Sequence, residues 1–219
     1  MRRMWKTGLI AAALTAGLAG AAQAHPHVFV EARAEVVFDD AGRLSAVRHV
    51  WSFDEAFTAF AVQGLDENGD GELSREELQP LAQVNVESLA EYEFFTFLQQ
   101  GDAEVAFDPP KEYWLDFYGG RLTLFFTLPL REARVMDAST VELDVFDPNY
   151  FVAFEMTQDT PFAMVDAPPT CTLDFTPPPP LDPQTATTLA AIPQTERELP
   201  SDLVQITETL SNSARIGCK

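Results

Sequence analysis

Residues 28–38 alternate between two faces. Val28, Val30, Ala32, Ala34, Val36 and Phe38 fall on one face, and Glu31, Arg33, Glu35 and Asp39 on the other. A period of two predicts a half-buried strand. The turn residues Asp39-Asp40-Ala41-Gly42 follow, and RLSAVRHVWSF (43–53) predicts the returning strand of a hairpin. Pairing Phe38 with Arg43 sets Val28 against Phe53, Val30 against Trp51, Ala34 against Val47 and His49 against Ala32. In that register the apolar residues share one face, which a one-residue slip would scatter.

A second hairpin is predicted over 113–126, YWLDFY-GG-RLTLFF, whose two-residue glycine loop favours a primed turn. It pairs Leu115 with Leu124 and Phe117 with Leu122. Two further strands are predicted, TVELDVF (140–146) and YFVAFEM (150–156), joined through Asp147-Pro148-Asn149. Between the hairpins the period becomes helical. Over 54–98, Leu81, Val84, Ser88, Leu89, Tyr92 and Phe95 recur at helical spacing, with Pro80 expected to kink or restart the helix. Past Cys171, PPPPLDPQ predicts a stiff extended linker and then a weakly helical tail. The expected fold class is α+β, mainly β: an antiparallel β-sandwich-like domain over 25–176 with a helical insertion at about 54–98. A Pro-rich linker and tail occupy 177–219.

The first 24 residues change the setting. Arg2, Arg3 and Lys6 precede a short apolar run, and Ala22-Gln23-Ala24 has the small-x-small form of a signal-peptidase site. The run is too short for a membrane span. The expected mature chain therefore starts at His25 and resides in the periplasm, with no membrane span of its own. The leader holds three of the 14 basic residues and none of the 34 acidic ones, so its removal takes the net charge from −20 to −23. That charge excludes nucleic acid as a partner, because nothing would neutralise the phosphates. Cations or a basic protein face suit it better. With 46% hydrophobic residues and 17 Phe, the chain can bury a core despite its charge. Its two cysteines, Cys171 and Cys218, are expected to pair as a disulfide in an oxidising compartment.

Inside the insertion, DENGDGELSREEL (66–78) has the spacing of an EF-hand calcium loop. A hard cation takes six to eight oxygens, and such a loop supplies them from positions 1, 3, 5, 7, 9 and 12 with Gly at 6. Here these are Asp66, Asn68, Asp70, the carbonyl of Glu72, Ser74 and Glu77, with Gly71 at the turn. Calcium is the expected ligand, and a lone loop in an exported protein is expected to hold the insertion folded.

Two of the three histidines open the mature chain, His25-Pro26-His27. Cleavage gives His25 a free α-amine, and the predicted register sets His27 opposite Asp54. Two imidazoles and a carboxylate at one strand end suit zinc, nickel or copper. Pro26 has no amide proton, which rules out the usual square-planar amino-terminal copper site. His49 faces inward among Val47, Trp51 and Phe53, the place of a core histidine; with Glu55, Asp147 and Tyr150 it is a candidate for a further ligand.

HPHVFVEARAEVVFDDAGRLSAVRHVWSFDEAF, the loop DENGDGELS and the late DPNYFVAF together resemble the domain of unknown function 1007 family over nearly the whole mature chain. The resemblance implies a periplasmic component of an ABC-type transport system associated with nickel-, cobalt- or zinc-type permeases. His25 and His27 match its HPH, and Asp54 lies in its WSFDE. The expected function is capture of zinc or nickel at His25, His27 and Asp54 and delivery to a membrane permease. Two alternatives stay open: a calcium-stabilised interaction or adaptor protein, and a copper histidine-brace enzyme. No GxSxG motif occurs and neither cysteine has a nearby histidine, so a non-enzymatic role is expected.

Overall fold

β1 (Val28–Phe38) forms where alternation predicts it, and all six of its inward residues are buried. The computed structural model describes residues 26–136, 140–192 and 199–219; the proposed leader and His25 lie outside that range. β2 (Leu44–Phe53) returns antiparallel to β1. Its register differs from expectation by two residues: Val30 faces Phe53, Ala32 faces Trp51, Ala34 faces His49 and Val36 faces Val47. A shift of two keeps every side chain on its face, so the apolar pattern cannot detect it. The cause is local. Asp39 gathers the N–H groups of Ala41 and Arg43 and the Arg43 guanidinium, widening the turn, and the ladder slips between Val37 and Phe38.

The helical excursion begins with α1 (Glu55–Ala61), capped by Asp54. α2 (Arg75–Leu89) follows, started by a reciprocal capping box between Ser74 and Glu77. α2 runs through Pro80 without ending; the carbonyl left without an N–H partner belongs to Glu76, on the exposed side where water reaches it. Its buried stripe is Leu78, Ala82 and Val86, whereas Val84 is 58% exposed. The helical stretch also stops earlier than predicted. A short 3-10 segment over 90–95 carries positive φ at Glu93, Phe94 and Phe95, and the chain then enters β3 (Thr96–Gln100).

The remaining strands are β4 (Ala103–Glu104), β5 (Tyr113–Tyr118), β6 (Arg121–Arg134), β7 (Thr140–Val145), β8 (Val152–Met156), β9 (Phe162–Val165) and β10 (Cys171–Thr176). α3 (Pro183–Ala190), α4 (Ser201–Glu208) and β11 (Asn212–Cys218) close the chain order. The β5–β6 hairpin has the predicted register, with positive φ at both Gly119 and Gly120. The first sheet runs β5-β6-β2-β1-β8, with β9 continuing along the same edge of β1; the second runs β10-β11-β7-β3-β4. The protein is thus mainly β, in two sheets with few helices, and inward residues of both sheets (Trp51 and Leu124, Leu143 and Ile216) share one core.

The expectation of a purely antiparallel domain is overturned at β1: β8 and β9 both pair with it in parallel. The segment 147–151 does not close a hairpin. It carries the chain from β7 in one sheet to β8 in the other. The far end of the chain also does more than trail, since β11 lies between β10 and β7. Cys171 and Cys218 face each other across β10 and β11 and form a disulfide. Closing that loop stabilises the fold by about 4 kcal/mol in the chain-entropy view.

Candidate functional site

The corner between the sheets is built on one carboxylate. Asp147 is 4% exposed. One oxygen accepts the N–H of Asn149 at 2.8 Å; the other accepts those of Phe151 and Val152, both at 2.9 Å. Tyr150, between them, takes a left-handed φ of 50°. Burial nevertheless dominates, pushing the Asp147 carboxyl above its ordinary value against the three hydrogen bonds that lower it. The corner docks the start of β1: the Phe151 carbonyl accepts N–H from both His27 and Val28, and the His27 ring lies 4.5 Å from the Phe151 ring.

Beside this corner, the buried face of the first sheet and the helical excursion border a cavity of about 260 Å³. Six aromatic rings line it, those of Trp51, Phe53, Phe57, Tyr92, Phe95 and Phe151. Its polar lining comes from Asp147, Asn149, Asn85 and Ser88. The kink at 93–95 matters here, because it turns Phe95 inward against Tyr92 and Trp51. The Trp51 indole nitrogen is buried with no hydrogen-bond partner among the described residues. Asp147 also borders a second, smaller cavity of about 110 Å³ beneath Pro178 and Leu181.

The residues predicted as transition-metal ligands are arranged differently. Asp54 stands opposite Phe29, not His27, and the two exchange hydrogen bonds: Asp54 N–H to the Phe29 carbonyl, and Phe29 N–H to Asp54 Oδ2. Its other oxygen accepts Phe57 N–H as the cap of α1. His27 lies beyond the end of β2, against the 147–151 corner. His49 is fully buried, stacked on Phe126 at 4.8 Å. The Thr96 hydroxyl donates to the Phe94 carbonyl, so it accepts from His49 Nε2 at 3.1 Å; the neutral ring therefore carries its proton on Nε2. Burial pushes the His49 pKa down to about 3, which keeps it uncharged. Among the described residues, no three His, Cys, Asp or Glu side chains are gathered as a metal site.

Loop 66–77 lies between α1 and α2 and folds on its own side chains. Asp66 accepts the N–H groups of Gly69, Asp70 and Gly71, and Asp70 accepts that of Glu72. Glu77 reaches back to the N–H groups of Glu67 and Ser74. These bonds hold the Glu77 carboxyl below its ordinary value, the Ser74 backbone bond first. Gly71 sits at φ 82°, where only glycine is unstrained. Arg75, the first residue of α2, makes a two-pronged contact with Asp116 at 2.6 and 2.7 Å and covers the Trp114 ring, fastening this end of the excursion to β5.

Residues 10–218 match the family described as Protein of unknown function (DUF1007). The chain belongs to that family. A protein of Haemophilus influenzae described as uncharacterized is 23% identical over 132 residues, covering 59% of this chain. The chain spans 62% of that relative's length, less than two thirds. Among the described residues, no helix is long and apolar enough to cross a membrane.

The stretch DPNYFVAF (147–154) has a structural content that its letters alone do not convey. Asp147 was legible only as a candidate ligand; its part as the buried hub of the corner was not. The cavity was not legible at all, since its aromatic residues come from four separate segments and each reads as ordinary core. The one local signal was Asp147 itself, an acid wedged between two apolar strands.

Proposed function

We propose that the protein is an exported, periplasmic metal-handling protein with two cation sites of different kinds. Calcium in the EF-hand-like loop 66–77 holds the helical excursion folded. His25 and His27, at the start of the mature chain, take zinc or nickel and pass it to a membrane permease.

Loop 66–77 carries the reading. Its donors are all oxygen: Asp66, Asn68, Asp70, the Glu72 carbonyl, Ser74 and Glu77, the set a hard cation prefers. Support comes from the way those carboxylates are held. Asp66 is oriented by three backbone N–H groups and Glu77 by the loop start and the α2 cap, as ligating carboxylates are oriented by an outer shell. For the second site, His27 leaves β1 from a fixed point, its N–H bonded to the Phe151 carbonyl at 2.8 Å. The residues before it thus emerge from an anchored strand end. Asp54, fixed by one backbone N–H on each oxygen and keeping a lone pair on both, is the carboxylate of that site.

Calorimetric titration of the mature protein tests both halves. One equivalent of calcium is expected, lost in Asp66→Ala. One equivalent of zinc or nickel is expected, lost in the His25→Ala/His27→Ala double variant with calcium binding intact. Calcium binding unchanged in Asp66→Ala overturns the first site. Zinc and nickel behaviour identical in wild type and double variant overturns the second, and leaves a calcium-stabilised adaptor.

A further inference from the structure

The cavity under the helical excursion has a chemistry separate from either metal site. Six aromatic rings wall it, one buried carboxylate borders it, and among the described residues no Lys, Arg or His lines it. The faces of aromatic rings are negative, so a cation within about 6 Å of several ring centres is attracted to them all. Asp147 adds a whole charge. Of the roughly four lone-pair directions on a carboxylate, its three backbone N–H partners take three and leave one for a ligand. Those partners do not offset its burial, since its carboxyl remains harder to ionise than an ordinary aspartate; a positive ligand alongside would supply what water no longer does. A space of about 260 Å³ admits only a small molecule.

We propose that this cavity binds a small organic cation of the ammonium class. The rings of Phe57, Tyr92 and Phe151 border the charged group and Asp147 balances it. A hydrated metal ion does not suit walls that are mostly carbon, and a simple apolar molecule would leave Asp147 without a counter-charge.

The test titrates the mature protein calorimetrically with tetramethylammonium, choline and butylammonium. A fourth probe is the neutral isostere of choline in which carbon replaces the quaternary nitrogen. The indole N–H resonance of Trp51 is followed in parallel. At least one ammonium probe is expected to bind at one equivalent and to shift that resonance, with the isostere about tenfold weaker than choline or worse. Tyr92→Leu, at the half-exposed rim, is expected to weaken the cation about fivefold or more while leaving the unfolding midpoint in place. Asp147→Asn is expected to abolish binding, and Tyr92→Leu decides the matter should that variant fail to fold. Binding by none of the three ammonium probes overturns the proposal, as does an isostere that binds as tightly as choline. Neither outcome bears on calcium, zinc or nickel, so this inference and the metal-handling reading fail separately.

Discussion

Asp66 and Asp147 perform the same local act in opposite surroundings. Each begins a turn by collecting three backbone N–H groups: Gly69, Asp70 and Gly71 for one, Asn149, Phe151 and Val152 for the other. Asp66 does so in an exposed loop, where water can serve whatever the loop leaves over. Asp147 does so at 4% exposure, where the same three bonds fail to offset desolvation. Identical hydrogen-bond chemistry therefore makes an open, adaptable loop in one place and a rigid hub in the other. Burial, not bonding pattern, decides which.

The largest expected effect separates the two aspartates directly. Asp147→Ala leaves three N–H groups buried without acceptors and is expected to destabilise the protein by about 3 kcal/mol or more. Asp66→Ala, measured without calcium, is expected to cost under about 1 kcal/mol, because water replaces the lost acceptor. Urea unfolding of both variants checks the contrast, and equal losses would break it. Next in size is the response to acid. His49 is held neutral in the fold, with its pKa pushed down to about 3 from 6.5, while the unfolded chain takes the proton at 6.5. Stability is therefore fully present above that value and falls as the pH drops below it, by about 1.4 kcal/mol per pH unit from this one group. His49→Gln, which keeps a donor toward Thr96, is expected to flatten that slope. In its background the two carboxyls can be read: by NMR titration Asp147 should ionise above the ordinary aspartate range and Glu77 below the ordinary glutamate range. The smallest effect concerns Arg75, whose contact with Asp116 is largely exposed. Arg75→Ala should lower global stability by less than about 1 kcal/mol. It should still speed amide exchange in loop 66–77 and the first turn of α2, leaving the 147–151 corner as protected as before.

What was legible in the sequence followed the range over which each feature is determined. The strand faces of β1 and the whole β5–β6 hairpin could be read because alternation and a Gly-Gly turn are properties of neighbours. The turn of loop 66–77 at Gly71 was legible for the same reason. The β1–β2 register was not, because the wide turn on Asp39 and the slip at Val37 move the pairing by two and leave every face unchanged. Nor was the parallel placement of β8. Asp147-Pro148-Asn149 has the letters of a hairpin loop, and only the fan of N–H groups on Asp147 and the left-handed Tyr150 send the chain across to the other sheet. The pairing of His27 with Asp54 was lost with the register. The cavity depended on four stretches of chain meeting in space, which no local period encodes.

β11 occupies an interior position in its sheet although residues 212–218 follow every other strand in the chain. Without residues 212–218, β7 and β10 have no ladder in common and the second sheet is open between them. The strand is the keystone of that arch: the two sides of the sheet stand together only through it.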